Sequence, residues 1–150
     1  MTEPITIRPV TREDWEGIVS VENARYGDAG YDRYFVRMIP HVFSRTCWVA
    51  QGSGEIEGYA LGAREDGHPD VGWLLSVVVR NDGRGLGARL SRQCVESLEH
   101  AGVARTFLTV APDNVAAIRI YERLGFTRVR FEANYYGPGM DRLLMERLRP

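Results

Sequence analysis

The chain has 150 residues, 44% of them hydrophobic and 26% charged, which is the composition of a globular domain large enough to bury a sizeable core. Its 19 basic residues, all of them arginine, nearly balance 20 acidic residues, so the charge does not favour nucleic acid or a membrane as a partner. No apolar run approaches a membrane span and residues 1–9 lack the apolar centre of a secretion signal, so we expect a cytoplasmic protein with one domain, residues 1–150.

The first half of the chain predicts a strand, two helices and a hairpin. The helix start is indicated by Thr11, with Asp14 three residues later in the capping-box position. The hairpin is indicated by Gly52-Ser53-Gly54 between two apolar runs. The predicted elements are a strand at 5–10, a helix from 11 to about 26, a helix from 32 to about 43, and strands at 46–50 and 56–61.

The second half alternates between strands and helices. Its first strand ends in an apolar run on both faces, which is typical of a central strand. The predicted elements are a strand at 71–79, a helix at 86–100, a strand at 105–110, a helix that opens at 112–114 and closes at Gly125, and strands around 127–135 and 142–148. The order βααβββαβαββ predicts a mixed α/β fold in which about seven strands form a mixed central sheet flanked by helices.

The two cysteines are interpreted as core residues. Cys94 falls on the same helix face as Leu90 and Leu98, and Cys47 lies in a strand-like run. Neither cysteine has the spacing of a metal site, and two cysteines form no convincing disulfide framework. We therefore expect no metal.

A glycine-rich loop, Gly83-Arg84-Gly85-Leu86-Gly87-Ala88, joins the central strand to the helix that starts near Leu86. Glycine permits positive φ and the close approach of a ligand, and the free N–H groups of a helix start attract anions. The side chain of Arg80, Arg84 or Arg89 would neutralise further phosphate charge. A loop of this kind between an apolar strand and an amphipathic helix indicates a phosphate-bearing ligand.

Three kinds of phosphate site use such a loop, and they differ in the residues around it. A Walker loop ends in Gly-Lys-Ser or Gly-Lys-Thr, whereas this loop continues as Gly87-Ala88-Arg89, so we reject it. The dinucleotide fingerprint fits formally, but the next strand ends Thr109-Val110-Ala111 without the acidic residue that binds ribose. The pyrophosphate of coenzyme A is the ligand that the other residues favour.

Two segments of the chain resemble the GNAT acyltransferase superfamily. Leu75-Ser76-Val77 leads into the glycine-rich loop, and residues 114–126 read Asn-Val-Ala-Ala-Ile-Arg-Ile-Tyr-Glu-Arg-Leu-Gly-Phe. The resemblance implies the same fold and an N-acetyltransferase with acetyl-CoA as co-substrate. The chain departs from the family at Asp82, where Arg or Gln is usual. Because an acid beside a pyrophosphate is unfavourable, we expect the Asp82 side chain to point away.

The resemblance also implies which residues hold the coenzyme. The backbone of residues 77–79 would pair with the pantetheine arm, and an N–H near Val77 or Val78 would stabilise negative charge on the thioester oxygen. Residues 82–88 would cradle the pyrophosphate, and Asn114 would hydrogen-bond the pantetheine. The implied set is Val77, Val78, Val79, Asp82, Gly83, Arg84, Gly85, Leu86, Gly87, Ala88, Asn114, Ala117 and Tyr121.

Tyr121 is the implied general acid. A tyrosine with a pKa near ~10 is protonated at neutral pH and can donate to the departing thiolate. Its spacing fits an ordinary core tyrosine equally well. The amine nucleophile must lose a proton, and Asp70 is the candidate base, with His68 and Glu22 as alternatives. Each of these three residues also fits a solvated surface position.

The amine acceptor is expected between the first two helices and the last hairpin. These segments carry many aromatic residues, which suit an amine on a moderately apolar body: Tyr26, Tyr31, Tyr34, Phe35, Tyr135 and Tyr136. The predicted substrate-binding residues are Tyr31, Trp73 and Tyr135.

Two partial resemblances indicate different acceptors. Residues 134–145 resemble the end of protein N-terminal and ribosomal-protein alanine acetyltransferases, which implies a peptide α-amine. Residues 43–46 and Trp73 resemble diaminobutyrate acetyltransferases, which implies a small diamine. We place the peptide or protein amine ahead of the small-molecule amine. The non-enzymatic alternative is a silent acyl-CoA sensor or interaction module, and the expected oligomeric state is a monomer or homodimer.

Overall fold

A computed structural model describes residues 4–150 as a seven-stranded sheet with helices on both faces. Two short 3₁₀ turns, Arg12–Asp14 and Gly27–Ala29, precede and follow the first helix. The other elements are β1 (Thr6–Pro9), α1 (Trp15–Tyr26), α2 (Arg33–Val42), β2 (Cys47–Gln51), β3 (Ile56–Glu65), β4 (His68–Val79), α3 (Leu86–His100), β5 (Arg105–Val110), α4 (Val115–Arg123), β6 (Thr127–Glu132) and β7 (Arg142–Leu148). The predicted order βααβββαβαββ and the mixed α/β class are confirmed.

Two strands, β3 and β4, are longer than predicted, whereas β1 and β6 are shorter and β2 is shifted by one residue. β3 and β4 extend past the expected ends and meet at a tight turn in which Gly67 has a φ of 81°. The first residues of β4, His68 to Asp70, are exposed, so no hydrophobic pattern marks them as strand. The extension forms a hairpin arm at the end of the sheet opposite the glycine-rich loop.

The sheet has the strand order β1-β2-β3-β4-β5-β7-β6. All neighbouring strands are antiparallel except β4 and β5, which are parallel. The β4–β5 pairing is short, because it covers only Val71 to Trp73 of β4 and Arg105 to Phe107 of β5. Beyond these residues the two strands separate in the middle of the sheet.

The two faces of the sheet carry separate hydrophobic cores. Helices α1 and α2 cover one face around Ile18, Ile39 and Tyr59, whereas α3 and α4 cover the other around Leu90 and Met145. These five side chains are fully buried, and each contributes about 1.5–3 kcal/mol of burial free energy. The two cores therefore fix the positions of β4 and β5 where these strands separate.

Both cysteines lie in these cores, as predicted. Cys94 packs in the α3 core and Cys47 in the α1 core, and both thiols are free and buried. Burial raises the pKa of the Cys47 thiol to about 12, so it stays protonated and unreactive at neutral pH.

Candidate active site

A cavity of about 730 Å³ opens where β4 and β5 separate. On one face of the sheet its walls are the start of α3 and one side of α4, and on the other face they are the α1–α2 and β6–β7 connections. Residues 74–79 of β4 and 108–110 of β5 form its two edges. The cavity therefore reaches through the sheet, so that two ligands can approach one point from opposite faces.

The separation of the strands begins at a bulge in β4. In the β3–β4 register, Leu61 faces Ser76 and Gly62 faces Leu74, so Leu75 is an extra residue. A bulge bends its strand and re-aims the side chains that follow. Past this point β4 pairs only with β3, and the backbone groups on its other edge face the cavity. Such groups need partners, which the amides of an extended ligand would supply.

The glycine-rich loop forms one end of the cavity. Gly83 and Gly85 adopt positive φ angles of 87° and 70°, a conformation that side chains disfavour. Gly85 is the N-cap of α3, so the first N–H groups of that helix have no partner within it. A Cβ added at either glycine would meet no atom within 4 Å, which leaves open space in front of the loop. This geometry suits a pyrophosphate.

Asp82, the unusual residue of the loop, is paired with Arg25 of α1. Their side chains form a salt bridge with an Nη1–Oδ2 distance of 2.9 Å, and both residues line the cavity. The Asp82 carboxylate is therefore paired rather than free, and the expectation that it points away from a bound pyrophosphate stays a prediction. The pair also ties the α1–α2 side of the cavity to the glycine-rich loop.

The three arginines that the sequence favoured as phosphate ligands have other partners. Arg80 donates to the Ser20 hydroxyl at 3.0 Å, and Arg84 is 3.4 Å from a carboxylate oxygen of Glu57. Arg89 donates to the carbonyl of Ile5 at 3.2 Å. None of the three lines the cavity, whereas Arg25 lines it and is paired with Asp82.

Most of the predicted coenzyme-binding residues meet in the cavity wall. Those that line it are Val77, Val78, Val79, Asp82, Gly83, Gly87, Asn114, Ala117 and Tyr121. Arg84, Gly85, Leu86 and Ala88 do not, and Leu86 is instead a buried core residue. The oxygen of Asn114 caps α4 by accepting from the N–H of Ala117 at 3.2 Å, so its amide N–H groups remain for a ligand.

Tyr121 lies on the α4 wall between the two faces of the cavity. Its ring packs edge-on against Phe126 with a centroid distance of 6.0 Å, and the remainder of the ring faces the cavity. Burial, with a smaller contribution from Tyr26, raises the pKa of Tyr121 to about 12. The phenol is therefore a proton donor over the whole physiological pH range.

The acceptor side of the cavity is lined by Tyr26, Tyr31, Tyr136, Met140 and Arg142. Of the three residues predicted to bind the substrate, only Tyr31 is in this wall. Tyr135 stacks against Tyr136 outside it, with ring centroids 4.8 Å apart. Trp73 lies where β4 and β5 are still paired, and its indole N–H donates to Glu65 at 3.1 Å. Neither residue is in contact with the cavity.

The candidate bases are found in different environments. Asp70 and His68 lie on the exposed start of β4, outside the cavity, so the structure does not bring Asp70 to the reacting atoms. Glu22 of α1 is only 2% exposed, which contradicts its interpretation as a surface residue. It accepts hydrogen bonds from the phenol of Tyr59 and from the N–H of Tyr31, the latter at 3.2 Å.

Tyr59 lies between Glu22 and a serine of the cavity wall. Its phenol donates to the Glu22 carboxylate. Burial and the nearby Glu22 charge raise the pKa of Tyr59, and the nearby Ser76 side chain opposes this rise. Ser76 also opposes the rise that burial imposes on the pKa of Tyr31, and it lines the cavity. The Glu22 carboxylate is therefore separated from the cavity by the side chains of Tyr59 and Ser76.

Sequence reasoning missed Ser76, Arg25 and Arg142 as parts of the site. Ser76 is the one polar side chain in the apolar run 74–79, which is a signal that could have been used. The two arginines carry no such signal, because the chain has 19 arginines and the fold decides which of them reach the cavity. Arg25 and Asp82, for example, are 57 positions apart.

Comparison with known proteins places this site in a family. The model of the acetyltransferase (GNAT) family matches residues 10–126. The N-alpha-acetyltransferase RimI of Mycobacterium tuberculosis is 31% identical over 97% of this chain and 94% of its own length. The chain belongs to the acetyltransferase (GNAT) family of acyl-CoA-dependent N-acyltransferases.

Two solved structures have the same fold. The NatC complex bound to Gag peptide and coenzyme A superposes with a TM-score of 0.85 and 18% identity, over 97% of this chain and 99% of that one. Diaminobutyrate acetyltransferase EctA from Paenibacillus lautus, with 2,4-diaminobutyric acid and coenzyme A, has a TM-score of 0.82 and 18% identity, over 96% and 94%. At this identity the likeness establishes the fold alone.

Among residues 4–150, no helix combines the length and the apolar character needed to cross a membrane. The same residues contain no group of three or more His, Cys, Asp or Glu side chains arranged to hold a metal ion.

Proposed function

We propose that the protein transfers the acetyl group of acetyl-CoA to a primary amine, with a peptide or protein α-amine ahead of a small-molecule amine. The observation that carries this proposal is the cavity between β4 and β5, which has a phosphate-type loop at one end and an aromatic acceptor side on the opposite face. A thioester entering from one face and an amine entering from the other would meet beside Tyr121.

The coenzyme fits the residues that are present. The unpaired edge of Val77 to Val79 offers backbone groups to the two amides of pantetheine, and the N–H of Val77 or Val78 would stabilise the thioester oxygen. The N–H groups at 83–88 would bind the pyrophosphate at the positive end of α3. Asn114 would donate from its free amide nitrogen.

In the proposed reaction the amine nitrogen attacks the thioester carbonyl carbon directly. A C–N bond forms, the C–S bond breaks, and the thiolate takes a proton from the hydroxyl of Tyr121. The raised pKa of Tyr121 keeps that proton available. The product is an acetylated amine and free coenzyme A thiol.

The amine proton must also leave, and we propose that Glu22 receives it. The proton would pass from the amine to Ser76, from Ser76 to Tyr59, and from Tyr59 to Glu22, as each hydroxyl gives up one proton and takes another. Support comes from the hydrogen bond that Tyr59 donates to Glu22, from the nearness of the Ser76 side chain to Tyr59, and from the place of Ser76 in the cavity wall. Asp70 is not retained as the base because it lies outside the cavity.

The choice of acceptor is supported by the relatives and by the end of the chain. An N-alpha-acetyltransferase is a near full-length relative, and residues 134–145 resemble the end of enzymes that act on peptide α-amines. The diaminobutyrate acetyltransferase shares only the fold. A peptide or protein α-amine is therefore the first acceptor to test.

The proposed function is tested by turnover. Purified protein is incubated with acetyl-CoA and a panel of peptides, diamines and aminoglycosides, and free thiol and acetylated product are measured. We expect thiol and product in equal amounts with at least one acceptor. Binding of acetyl-CoA without thiol release from any acceptor would contradict the transferase function.

The role of Glu22 is tested with the variants Glu22→Gln and Tyr59→Phe. Each is expected to lower kcat by about tenfold or more for an alkylamine acceptor. The loss of kcat should be much smaller for a weakly basic amine, because such an amine gives up its proton without a catalytic base. Equal losses for both amines would indicate structural damage rather than lost base catalysis, and unchanged rates would exclude the relay.

A further inference from the structure

Arg142, the first residue of β7, places a positive charge on the acceptor side of the cavity. Its guanidinium lies 5.0 Å from the centroid of the Tyr136 ring, and both residues line the cavity. The charge is close enough to Tyr26 to oppose the rise that burial imposes on the pKa of that phenol. Tyr26, Tyr121 and Arg142 all line this one cavity, so Arg142 shares it with the proposed acid.

This charge has no carboxylate partner in the part of the chain that the structure describes, residues 4–150. The Nε atom of Arg142 is buried and makes no hydrogen bond there. Glu132 is the residue opposite Arg142 in the β6–β7 register, but it pairs with Arg130 at 2.8 Å.

The other charges in the cavity wall cancel one another. Arg25 and Asp82 also line the cavity, and they form a salt bridge with each other at 2.9 Å. Arg142 is therefore the uncompensated charge of the lining. A buried donor without a partner destabilises the unliganded site, and more so when it is charged, so a ligand that accepts a hydrogen bond from it gains affinity.

The chemistry of the guanidinium indicates the ligand. Its planar fork matches a carboxylate with two parallel hydrogen bonds, and its position over the Tyr136 ring holds the guanidinium on the acceptor side of the cavity. The phosphates of coenzyme A are expected at the glycine-rich loop, whereas Arg142 lies among residues of the α1–α2 and β6–β7 connections. The anion that meets Arg142 therefore belongs to the acceptor.

We propose that the acceptor carries a carboxylate close to the reactive amine, and that Arg142 selects it. This inference rests on the proposed acetyltransferase function. Two sources supply the same chemistry: an acidic side chain at the second position of a peptide, or the free carboxylate of an amino acid that has a second amine. Arg142 would hold the carboxylate while the amine reaches the thioester beside Tyr121.

The test uses pairs of acceptors that differ only in charge. One pair consists of peptides with Glu or Gln at the second position, and the other of 2,4-diaminobutyrate and its carboxamide. We expect wild-type kcat/KM to be about tenfold or more higher for the charged member of one pair, and that pair identifies the source of the carboxylate. Arg142→Gln should remove this preference through a higher KM for the charged acceptor, with the uncharged one changed less than twofold.

Matched variants separate recognition from folding. Arg128→Gln removes an exposed arginine of β6 that pairs with Glu122 outside the cavity, and it should keep the preference. Arg142→Lys keeps the charge without the planar fork and should keep part of the preference. This variant tests the inference if Arg142→Gln does not fold. The Kd for coenzyme A should be the same in all variants.

The outcomes are distinct. Thiol release with no charge preference in either pair would overturn the inference and leave the acetyltransferase function standing. Arg142→Gln could instead weaken coenzyme A binding and lower kcat/KM equally for both members of a pair. That result would overturn the inference, because it would assign the arginine to the coenzyme. No thiol release from any acceptor would contradict the proposed function, and this inference with it.

Discussion

Replacing Tyr121 by Phe removes one hydroxyl from the cavity wall and keeps the rest of the packing. The ring would still meet Phe126 edge-on, as it does in the structure at 6.0 Å. The fold and the coenzyme site should therefore be unaffected. The thiolate would then leave without a proton donor, so the expected effect is on turnover.

The size of the effect follows from the pKa. Burial raises the pKa of Tyr121 from 10.0 to about 12, which corresponds to a free energy of about 3 kcal/mol against the phenolate. At pH 10 about 1% of the phenol is ionised, rather than about half for an ordinary tyrosine. Wild-type kcat should therefore show no decline from loss of the acid up to about pH 11, and Tyr121→Phe should lower it by about 10².

The assay measures thiol release against pH for the wild type, Tyr121→Phe and Tyr34→Phe. Tyr34 is 83% exposed and does not line the cavity, so its substitution is the matched control and should change nothing. The Kd for coenzyme A should stay within twofold in both variants. A Tyr121→Phe rate within twofold of wild type would remove Tyr121 as the acid. An alkaline decline centred near pH 10 that the variant lacks would contradict the raised pKa.

Three further predictions concern the loop, the core and the sheet. Arg25→Gln leaves the charge of Asp82 unpaired and should weaken coenzyme A binding by up to about fivefold in calorimetry, and adding Asp82→Asn should restore it. Burial raises the pKa of the Cys47 thiol from 9.0 to about 12. The contribution of this thiol to the free energy of unfolding is therefore full below pH 9 and is lost as the pH rises to 12. In denaturant titrations between these pH values, the free energy of unfolding should decline less for Cys47→Ala than for the wild type. Gly58→Ala would place a Cβ 2.8 Å from the carbonyl oxygen of Val78 and should cost about 1–3 kcal/mol in the same titrations, whereas an unchanged midpoint would show that β3 and β4 can move apart.

The fold was predictable because its signals are local. Alternating hydrophobic patterns indicated the strands, helical patterns indicated the helices, and glycine and proline indicated where these elements end. Two segments also carried the family pattern. The bounds of α3 and β5 were predicted correctly to the residue. The early start of β4 was missed because His68 to Asp70 are exposed, and an exposed strand end has no hydrophobic pattern.

The electrostatics of the site were not predictable in this way. Glu22 looked like a surface residue because its partner Tyr59 is 37 positions away, on a strand whose packing against α1 no local pattern reveals. Asp82 looked like a defect of the phosphate loop because its partner Arg25 is 57 positions away in the sequence. In both cases the residue type was visible and its burial or pairing was not, since both depend on which elements the fold brings together.

The two sides of the cavity differ in how far the family model covers them, and this explains why the donor is easier to infer than the acceptor. The coenzyme side comes from β4, α3 and α4, all within residues 10–126 that the family model matches. The acceptor side is divided. Tyr26 and Tyr31 lie within that match, whereas Tyr136, Met140 and Arg142 lie beyond it, on the β6–β7 connection and the start of β7. A shared coenzyme constrains the coenzyme side, whereas the part of the acceptor side beyond the match is free to change with the amine. The features that distinguish this enzyme from its relatives should therefore be sought first after residue 126, where Arg142 provides the charge that the rest of the cavity leaves unbalanced.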